Sequence, residues 1–278
     1  MIRGIYTGAT GMIAQEARLD AVANNLANAD KTGYKRDLAV FKSFPDMLMR
    51  RVNESGESVT PAGSYDAMPV VGKMGTGVEV NEVYTQFDQG SMERTESNFD
   101  LAIEGRGFFT VATERGERFT RDGSFTINQE GILMTRNGDP VLGENGIIRV
   151  QQNNFIVNER GEIIVNTGVS RNPRDVVSMD NNEWSDPQVI DKLRIVDFEN
   201  IRELKKEGNS LYKESEFSGP PLPPETLKIY QGFLEKSNVN IVREMVDMIE
   251  VQRSYEANQK AVSTHDQALG KLINEVNR

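Results

Sequence analysis

The chain has 278 residues, of which 37% are hydrophobic and 27% charged, with a net charge of −10 and no cysteine. This composition is that of a soluble protein with its own core, and the absence of cysteine excludes disulfides and thiolate metal sites. The acidic balance argues against nucleic acid as a partner, because proteins that bind a phosphate backbone usually carry a basic face.

No apolar run approaches the roughly 18 residues that a membrane span needs, so we expect no membrane insertion. The first residues include Arg3 but no continuous apolar stretch and no small-residue cleavage site. A cleaved secretory signal peptide is therefore not expected.

The N-terminal segment predicts an amphipathic helix with a heptad pattern typical of a coiled coil. One heptad position holds Ile5, Met12, Leu19 and Leu26. The other holds Ile2, Ala9, Glu16 and Ala23. Gly4, Gly8 and Gly11 weaken the first turns by about 1 kcal/mol each relative to alanine, so this helix needs a partner. Gly33 permits a left-handed turn and predicts the exit from the helix.

The segment after this helix is polar and basic. Its basic residues, which we interpret as a solvated helix end and loop, are Lys31, Lys35, Arg36, Lys42, Arg50 and Arg51. Residues 53–64 contain glycine and proline among polar residues, which predicts a loop or an extended arm.

The middle of the chain predicts an antiparallel β sandwich or barrel, since short β-prone runs alternate with glycine turns. The predicted strands are 101–103, 108–111, 125–127, 132–134, 147–150, 163–165, 193–198 and 211–212.

The last segment predicts a long helix. All ten prolines lie between Pro45 and Pro224, so neither end contains a residue that breaks helix interiors. Apolar residues recur at intervals of seven: Ile241, Met248, Tyr255, Val262, Leu269 and Val276. An ordinary bundle helix is the alternative interpretation of this pattern.

The fold class that follows is α+β, with long N- and C-terminal helices that pair as a coiled-coil stalk and a central antiparallel β domain. The expected boundaries are 1–40 and 228–278 for the helices, 41–75 for an extended linker, 76–217 for the β domain and 218–227 for a proline-rich linker.

The chain offers little catalytic chemistry. Its single histidine, His265, cannot form a typical zinc site alone. Residues 72–77 resemble a phosphate loop only in composition. Carboxylate pairs such as Glu114 with Glu117, or Asp180 with Glu183, suit a cell-wall hydrolase in principle, but chance pairs are expected among 42 acidic residues. We expect no enzyme, no metal and no cofactor.

Three groups of motifs resemble the axial proteins of the bacterial flagellum, which form its rod and hook. The N-terminal group is Ala23-Asn24-Asn25-Leu26-Ala27-Asn28 with Thr32-Gly33-Tyr34-Lys35-Arg36. The central group lies at 100–109 and 119–125. The C-terminal group is Ser237-Asn238-Val239-Asn240, 245–249 and Gln252-Arg253-Ser254-Tyr255-Glu256.

The resemblance implies a rod subunit that polymerises helically with itself and other rod or hook subunits, without a nucleic-acid partner. It also implies passage through the flagellar export apparatus, without a cleaved signal, into the periplasmic rod of the basal body. Gly4-Ile5-Tyr6-Thr7 favours the proximal rod. Tyr230-Gln231-Gly232 favours the distal rod, which is the close alternative to the preferred proximal position, while the hook is a weaker one.

Residues of both end segments are expected to form the subunit interface, with the amides of Asn24, Asn25 and Asn28 cross-linking neighbouring helices. The expected interface residues are Ile5, Met12, Leu19, Asn24, Asn25, Leu26, Asn28, Ile241, Met245, Met248, Gln252, Tyr255, Asn258, Val262 and Leu269.

Overall fold

The computed structural model describes residues 2–50, 58–60, 63–65, 70–151, 154–166, 187–224 and 227–276. Its two helices are α1 (Ile2–Ala27) and α2 (Ile241–Val276), and the part of the chain between them is rich in β structure. The α+β class with helices at both ends is therefore confirmed.

The chain divides into two compact units. The first contains residues 1–24, 37–84 and 242–278, and the second contains residues 25–36 and 85–241. The expected boundaries differ from this division, because residues 37–84 group with the helices and residues 228–241 group with the β structure.

The first unit contains most of both helices and a set of short strands. These strands are β1 (Asp37–Ser43), β2 (Met47–Arg50), β3 (Ser58–Thr60), β4 (Gly63–Tyr65), β5 (Val70–Met74) and β6 (Val78–Thr85). They form two-stranded pairs in which β1 lies beside β6, β2 beside β5 and β3 beside β4. Parts of the expected arm at 53–64 are thus strand, while residues 53–57 and 61–62 lie outside the described residues.

The second unit contains the remaining strands. They are β7 (Met92–Arg94), β8 (Leu101–Gly105), β9 (Phe108–Thr113), β10 (Gly116–Thr120), β11 (Phe125–Ile127), β12 (Leu133–Thr135), β13 (Leu142–Gly143), β14 (Gly146–Ile147), β15 (Phe155–Val157), β16 (Glu162–Asn166), β17 (Pro187–Lys192), β18 (Ile195–Val196), β19 (Lys205–Gly208), β20 (Leu211–Lys213), β21 (Leu227–Gln231) and β22 (Phe233–Glu235). The largest sheet has the order β18-β9-β10-β20-β19, and a three-stranded sheet has the order β15-β16-β17.

Seven of the strands predicted in the middle of the chain are confirmed, as β8, β9, β11, β12, β16, β18 and β20. The predicted strand 147–150 overlaps β14 only at Ile147. The hairpin between β9 and β10 shows why the turn signals succeed. Gly116 adopts a φ of 100°, a conformation that costs glycine little, and its strands pair antiparallel from Gly116 opposite Thr113.

Residues 228–235, expected with the terminal helices, lie in two strands instead, and residues 236–240 connect these strands to α2. β21 pairs with β8 and β22 pairs with β7, so this segment belongs to the β unit. The cause is tertiary: Ile229 is 1% exposed in the core of that unit. Gly232 lies between the two strands with a φ of 76°. Helix α2 begins only at Ile241.

Two apolar clusters stabilise the second unit. The larger one lies among the strands and consists of Leu101, Ile103, Phe109, Val111, Phe125, Leu133, Val141, Ile148, Val150, Phe155, Val157, Ile163, Val165, Leu193, Ile195 and Ile229. The smaller one is aromatic. The Phe108 ring lies 5.6 Å from the Tyr212 ring, and the Phe119 ring lies 4.9 Å from the Phe198 ring. Both aromatic pairs pack edge to face, which is a favourable arrangement of their quadrupoles.

Candidate assembly surface

Within the first unit, the glycines of α1 lie against side chains of α2. A Cβ added to Gly8 would lie 2.6 Å from Val262 Cγ2, and one added to Gly11 would lie 2.9 Å from Asn258 Nδ2. A Cβ on Gly4 would meet the His265 ring at 2.5 Å. The three glycines therefore leave room for side chains of α2 to pack against the backbone of α1.

The order of these contacts gives the direction of the two helices. Gly4 lies at His265, Gly8 at Val262 and Gly11 at Asn258, so numbers rise along α1 while they fall along α2. Further along, Arg18 Nη2 lies 3.9 Å from Asp247 Oδ1. The two helices run antiparallel over this length.

The sequence correctly points to α1 needing a partner, but it misses how α1 uses its glycines. Successive helical residues are about 100° apart, so the glycine face lies to one side of the predicted apolar line. Ile5, Met12, Leu19 and Leu26 are half-buried. The residues of α1 that are fully buried are Gly8, Ala14, Ala21, Val22 and Asn25.

On α2, the covered side combines part of the predicted line with a second line. Met248, Val262 and Leu269 are half-buried, whereas Tyr255 is 39% exposed. The second line contains Glu244 and Val251, each 1% exposed, followed by half-buried Asn258 and His265. This second line was missed because its polar residues hide the period in a hydrophobicity pattern.

The opposite side of α2 exposes large apolar side chains. Val242 is 72% exposed, Met245 49%, Val246 59% and Ile249 51%. Ile241, another expected interface residue, is 38% exposed, and Gln252 is also exposed. A contiguous apolar patch of this kind marks a surface for protein contact.

The asparagines of the N-terminal motif fall in different environments. Asn24 is exposed and Asn28 is half-buried. Asn25, expected to reach a neighbouring helix, is 1% exposed and accepts a hydrogen bond from Tyr34 Oη at 3.2 Å. Its amide therefore orders the chain that follows α1 inside the second unit.

That unit also contains a buried ion cluster made of Lys35, Arg121 and Glu235. Lys35 Nζ lies 2.5 Å from Glu235 Oε1, with side chains 0% and 1% exposed. Arg121 Nη1 lies 3.5 Å from Glu235 Oε2. The interpretation of Lys35 as part of a solvated basic loop is wrong, because the fold places it beside a carboxylate 200 positions further along the chain.

Backbone groups complete the ion cluster. Lys35 Nζ donates to Asp88 O at 2.8 Å, and Gly90 N donates to Glu235 Oε1 at 2.9 Å. Arg121 Nη2 donates to Gly105 O at 2.7 Å. Burial lowers the pKa of Lys35, while the Glu235 carboxylate opposes that shift. Burial likewise lowers the pKa of Arg121.

The segments next to the ion cluster are joined by backbone hydrogen bonds. Gly33 N donates to Glu235 O at 2.8 Å, and Arg36 N donates to Asn238 Oδ1 at 2.8 Å. Gly33 has a φ of 64°, which confirms the predicted left-handed turn after α1. A Cβ at this position would also collide with the backbone of Arg121 and Asp122. The N- and C-terminal motifs therefore meet in one structure.

The positions considered for catalysis fall elsewhere. Residues 72–74 are the end of β5 and residues 75–77 connect it to β6, so a strand and not a helix follows them. Glu117 pairs with Arg194 at 2.9 Å, and Asp180 and Glu183 lie outside the described residues. Among the residues described, no group of three or more potential ligands is placed to hold a metal ion. Within the same residues, neither helix has the length and apolar character to cross a membrane.

Comparison with known proteins gives matches along most of the chain. The family described as "Flagella basal body rod protein" matches residues 5–35. The "Flagellar hook protein FlgE/F/G D1 domain" matches 102–165, and the "Flagellar basal body rod FlgEFG protein C-terminal" family matches 230–275.

Individual relatives align over nearly their whole length. The flagellar basal-body rod protein FlgG of Buchnera aphidicola (subspecies Schizaphis graminum) is 35% identical over 98% of this chain and 99% of its own. FlgG of Borreliella burgdorferi is 34% identical over 100% of both chains. The rod protein FlgF of Caulobacter vibrioides is 35% identical over 92% of this chain and 91% of its own. The chain therefore belongs to the family of structural flagellar basal-body rod proteins.

Proposed function

We propose that this protein is a non-enzymatic structural subunit of the flagellar rod that polymerises helically through its terminal helices. The observation that carries the proposal is the exposed apolar side of α2, formed by Val242, Met245, Val246 and Ile249. These side chains lie on the helix away from the side that packs on α1. Contact with other subunits would remove them from water, at roughly 25 cal/mol per Å² of apolar area.

The two helices act in this proposal as a coiled-coil stalk. Its support is the run of antiparallel contacts from Gly4 at His265 to Arg18 at Asp247. The interface with neighbouring subunits then uses the residues that this pairing leaves accessible. Of the expected interface residues, those that are exposed are Asn24, Ile241, Met245, Gln252 and Tyr255. Those that are half-buried, and so offer less surface, are Ile5, Met12, Leu19, Leu26, Asn28, Met248, Asn258, Val262 and Leu269.

For the position in the rod, we propose the distal segment. The support is the end-to-end alignment with the FlgG proteins of Buchnera and Borreliella, whereas the Caulobacter FlgF protein covers 92% of this chain. This choice reverses the preference for the proximal rod that the opening residues give. Partners are then further copies of this chain and the adjacent rod and hook subunits, reached through the flagellar export apparatus.

The test is genetic and structural. Deletion of the gene in its own host should abolish swimming and leave basal bodies without a complete rod, and a plasmid copy should restore both. Electron microscopy of purified basal bodies that contain a labelled copy should place the label in the distal rod. Normal motility in the deletion strain would contradict the proposed function, and a label in the proximal rod would contradict only the position.

A further inference from the structure

A groove of about 510 Å³ opens between the two helices of the first unit. Leu19 and Tyr255 contribute its apolar surface, while Glu16, Gln252 and Glu256 contribute polar groups. Glu16 and Glu256 are both exposed, and Tyr255 is 39% exposed. Of the described residues that line the groove, none is basic. The groove therefore suits an apolar segment that carries a positive charge.

The same chain presents such a segment on another surface. The α2 stripe consists of Val242, Met245, Val246, Ile249 and Arg253, at helical spacings of 3, 4, 7 and 11 residues from the first. Its four apolar members are between 49% and 72% exposed, and Arg253 is exposed as well. The stripe lies on the side of α2 opposite to Glu244 and Val251, which are each 1% exposed.

We propose that the groove of one copy receives the α2 stripe of a second copy, with Arg253 of that second copy between Glu16 and Glu256. The guanidinium would lie near the Tyr255 ring, where cation–π attraction adds to the two carboxylates. This proposal rests on the proposed rod function and names the contact between subunits. Groove and stripe adjoin on α2 but share no residue, and the groove also needs Glu16 and Leu19 of α1. The contact is therefore heterologous, and each subunit carries both halves.

The opposite charges identify a second copy as the occupant. Groove and stripe are complementary to each other, so one sequence supplies both sides of the interface. If the groove bound an unrelated helix, there would be no reason for the same chain to expose an apolar stripe that ends in an arginine. Self-association of the full-length protein is therefore the property to measure.

Cysteine cross-linking tests the contact directly, because the natural chain has no cysteine. Glu16→Cys and Ile249→Cys, the apolar position of the stripe nearest to Arg253, are prepared as separate full-length variants, mixed in equal amounts and oxidised. We expect a covalent dimer with one chain of each kind, which no contact within one chain can produce. Glu130→Cys, on an exposed turn of the β unit, replaces either partner as the matched control and should give only background cross-linking.

The outcomes separate the inference from the proposed function. Cross-linking of Ile249→Cys to itself at the same yield would overturn the heterologous contact. So would a mixture without cross-links at concentrations where ultracentrifugation shows association. A wild-type chain that stays monomeric throughout the concentration series would overturn the second copy as occupant, while motility in the host tests the rod function independently.

Charge exchange provides a second measurement that does not depend on cysteine. Glu16→Arg/Glu256→Arg and Arg253→Glu should each weaken self-association by roughly tenfold or more, because each places like charges together. A mixture of the two variants, or the triple variant, should restore it. Glu130→Arg should leave association unchanged. Failure of the mixture to recover, with both variants folded by circular dichroism, would overturn the pairing.

Discussion

Glu235 connects the two buried cations of the second unit. It accepts from Lys35 and Arg121 and also from the backbone of Gly90, while its own backbone carbonyl accepts from Gly33. One carboxylate faces two cations, so its removal would leave two buried charges without their counter-charge. The cost of such a change far exceeds that of losing a surface ion pair.

We expect Glu235→Gln to lower the free energy of unfolding by about 3–5 kcal/mol. The matched control is Glu93→Gln, which breaks the pair between Lys236 and Glu93, whose side chains are 54% and 58% exposed. That control should change stability far less, because solvent screens an exposed ion pair. Urea unfolding followed by far-UV circular dichroism measures the free energy of unfolding of both variants. Equal losses of stability would show that burial of the ion cluster does not increase the cost of removing its carboxylate.

Gly8 and Gly270 are both helical glycines, but their surroundings differ. A Cβ at Gly8 would meet Val262 Cγ2, a stiff β-branched side chain, whereas nothing lies within 4 Å of a Cβ at Gly270. Alanine is favoured over glycine by about 1 kcal/mol in an open helix position. The same substitution should therefore have opposite signs at the two positions.

Gly270→Ala should raise the thermal midpoint of helix loss, and Gly8→Ala should lower it. Gly8→Ala/Val262→Ala should recover part of the loss, since the smaller side chain makes room for the added methyl. Thermal melts at 222 nm give the midpoints. A stabilising effect of Gly8→Ala equal to that of Gly270→Ala would argue that the helices do not approach closely.

At the scale of elements, α2 has one side that packs on α1 and another that is exposed. Val262 on one side contacts Gly8 of the same chain, while Val246 on the other side is 59% exposed. A negative charge on the first side interrupts packing within the subunit, and a charge on the second interrupts only contacts with other molecules. A pair of aspartate variants distinguishes these roles.

Val262→Asp should reduce the helix content of the purified subunit and abolish motility in the host. Val246→Asp should leave the circular dichroism spectrum and melting temperature within error of wild type, yet still abolish motility. Swimming-plate assays and spectra of the purified variants provide the comparison. Full motility of Val246→Asp would contradict the role of the exposed side in assembly.

At the scale of the whole molecule, the segment that enters the β unit, residues 33–36, is hydrogen-bonded to the segment that leaves it, residues 235–238. Residues 25–36 belong to the same unit as residues 85–241, although the rest of α1 does not. Gly33, Lys35 and Arg36 bond directly to residues 235–238. The β unit therefore keeps its complete set of buried charges when the first 24 residues are removed.

Deletion of residues 1–24 should leave a folded protein that does not join a rod. The two-dimensional amide NMR spectrum should retain the resonances of the β unit, because Asn25, Tyr34 and the ion cluster remain. Expression in the deletion strain should fail to restore swimming. Rescue of motility by the truncated chain would contradict assembly through the terminal helices.

The sequence by itself determined the local structure: helices at both proline-free ends, strands between glycine turns, and the left-handed exit at Gly33. These features depend on the intrinsic propensities and φ preferences of residues that are close together in the sequence. The family motifs were also visible, because each occupies one continuous stretch. The heptad period of α2 was only partly right, because Met248, Val262 and Leu269 are half-buried whereas Ile241 and Tyr255 are exposed.

Only the tertiary structure decided which polar residues are buried and what the glycines of α1 contact. Lys35 meets Glu235 across 200 positions, and no local pattern encodes a pairing of that separation. Gly4, Gly8 and Gly11 lower helix propensity locally, but they leave the space that His265, Val262 and Asn258 of α2 occupy. Residues 227–235 became strands because β7 and β8 offered edges to pair with, so long-range packing and hydrogen bonding decided what local preference left open.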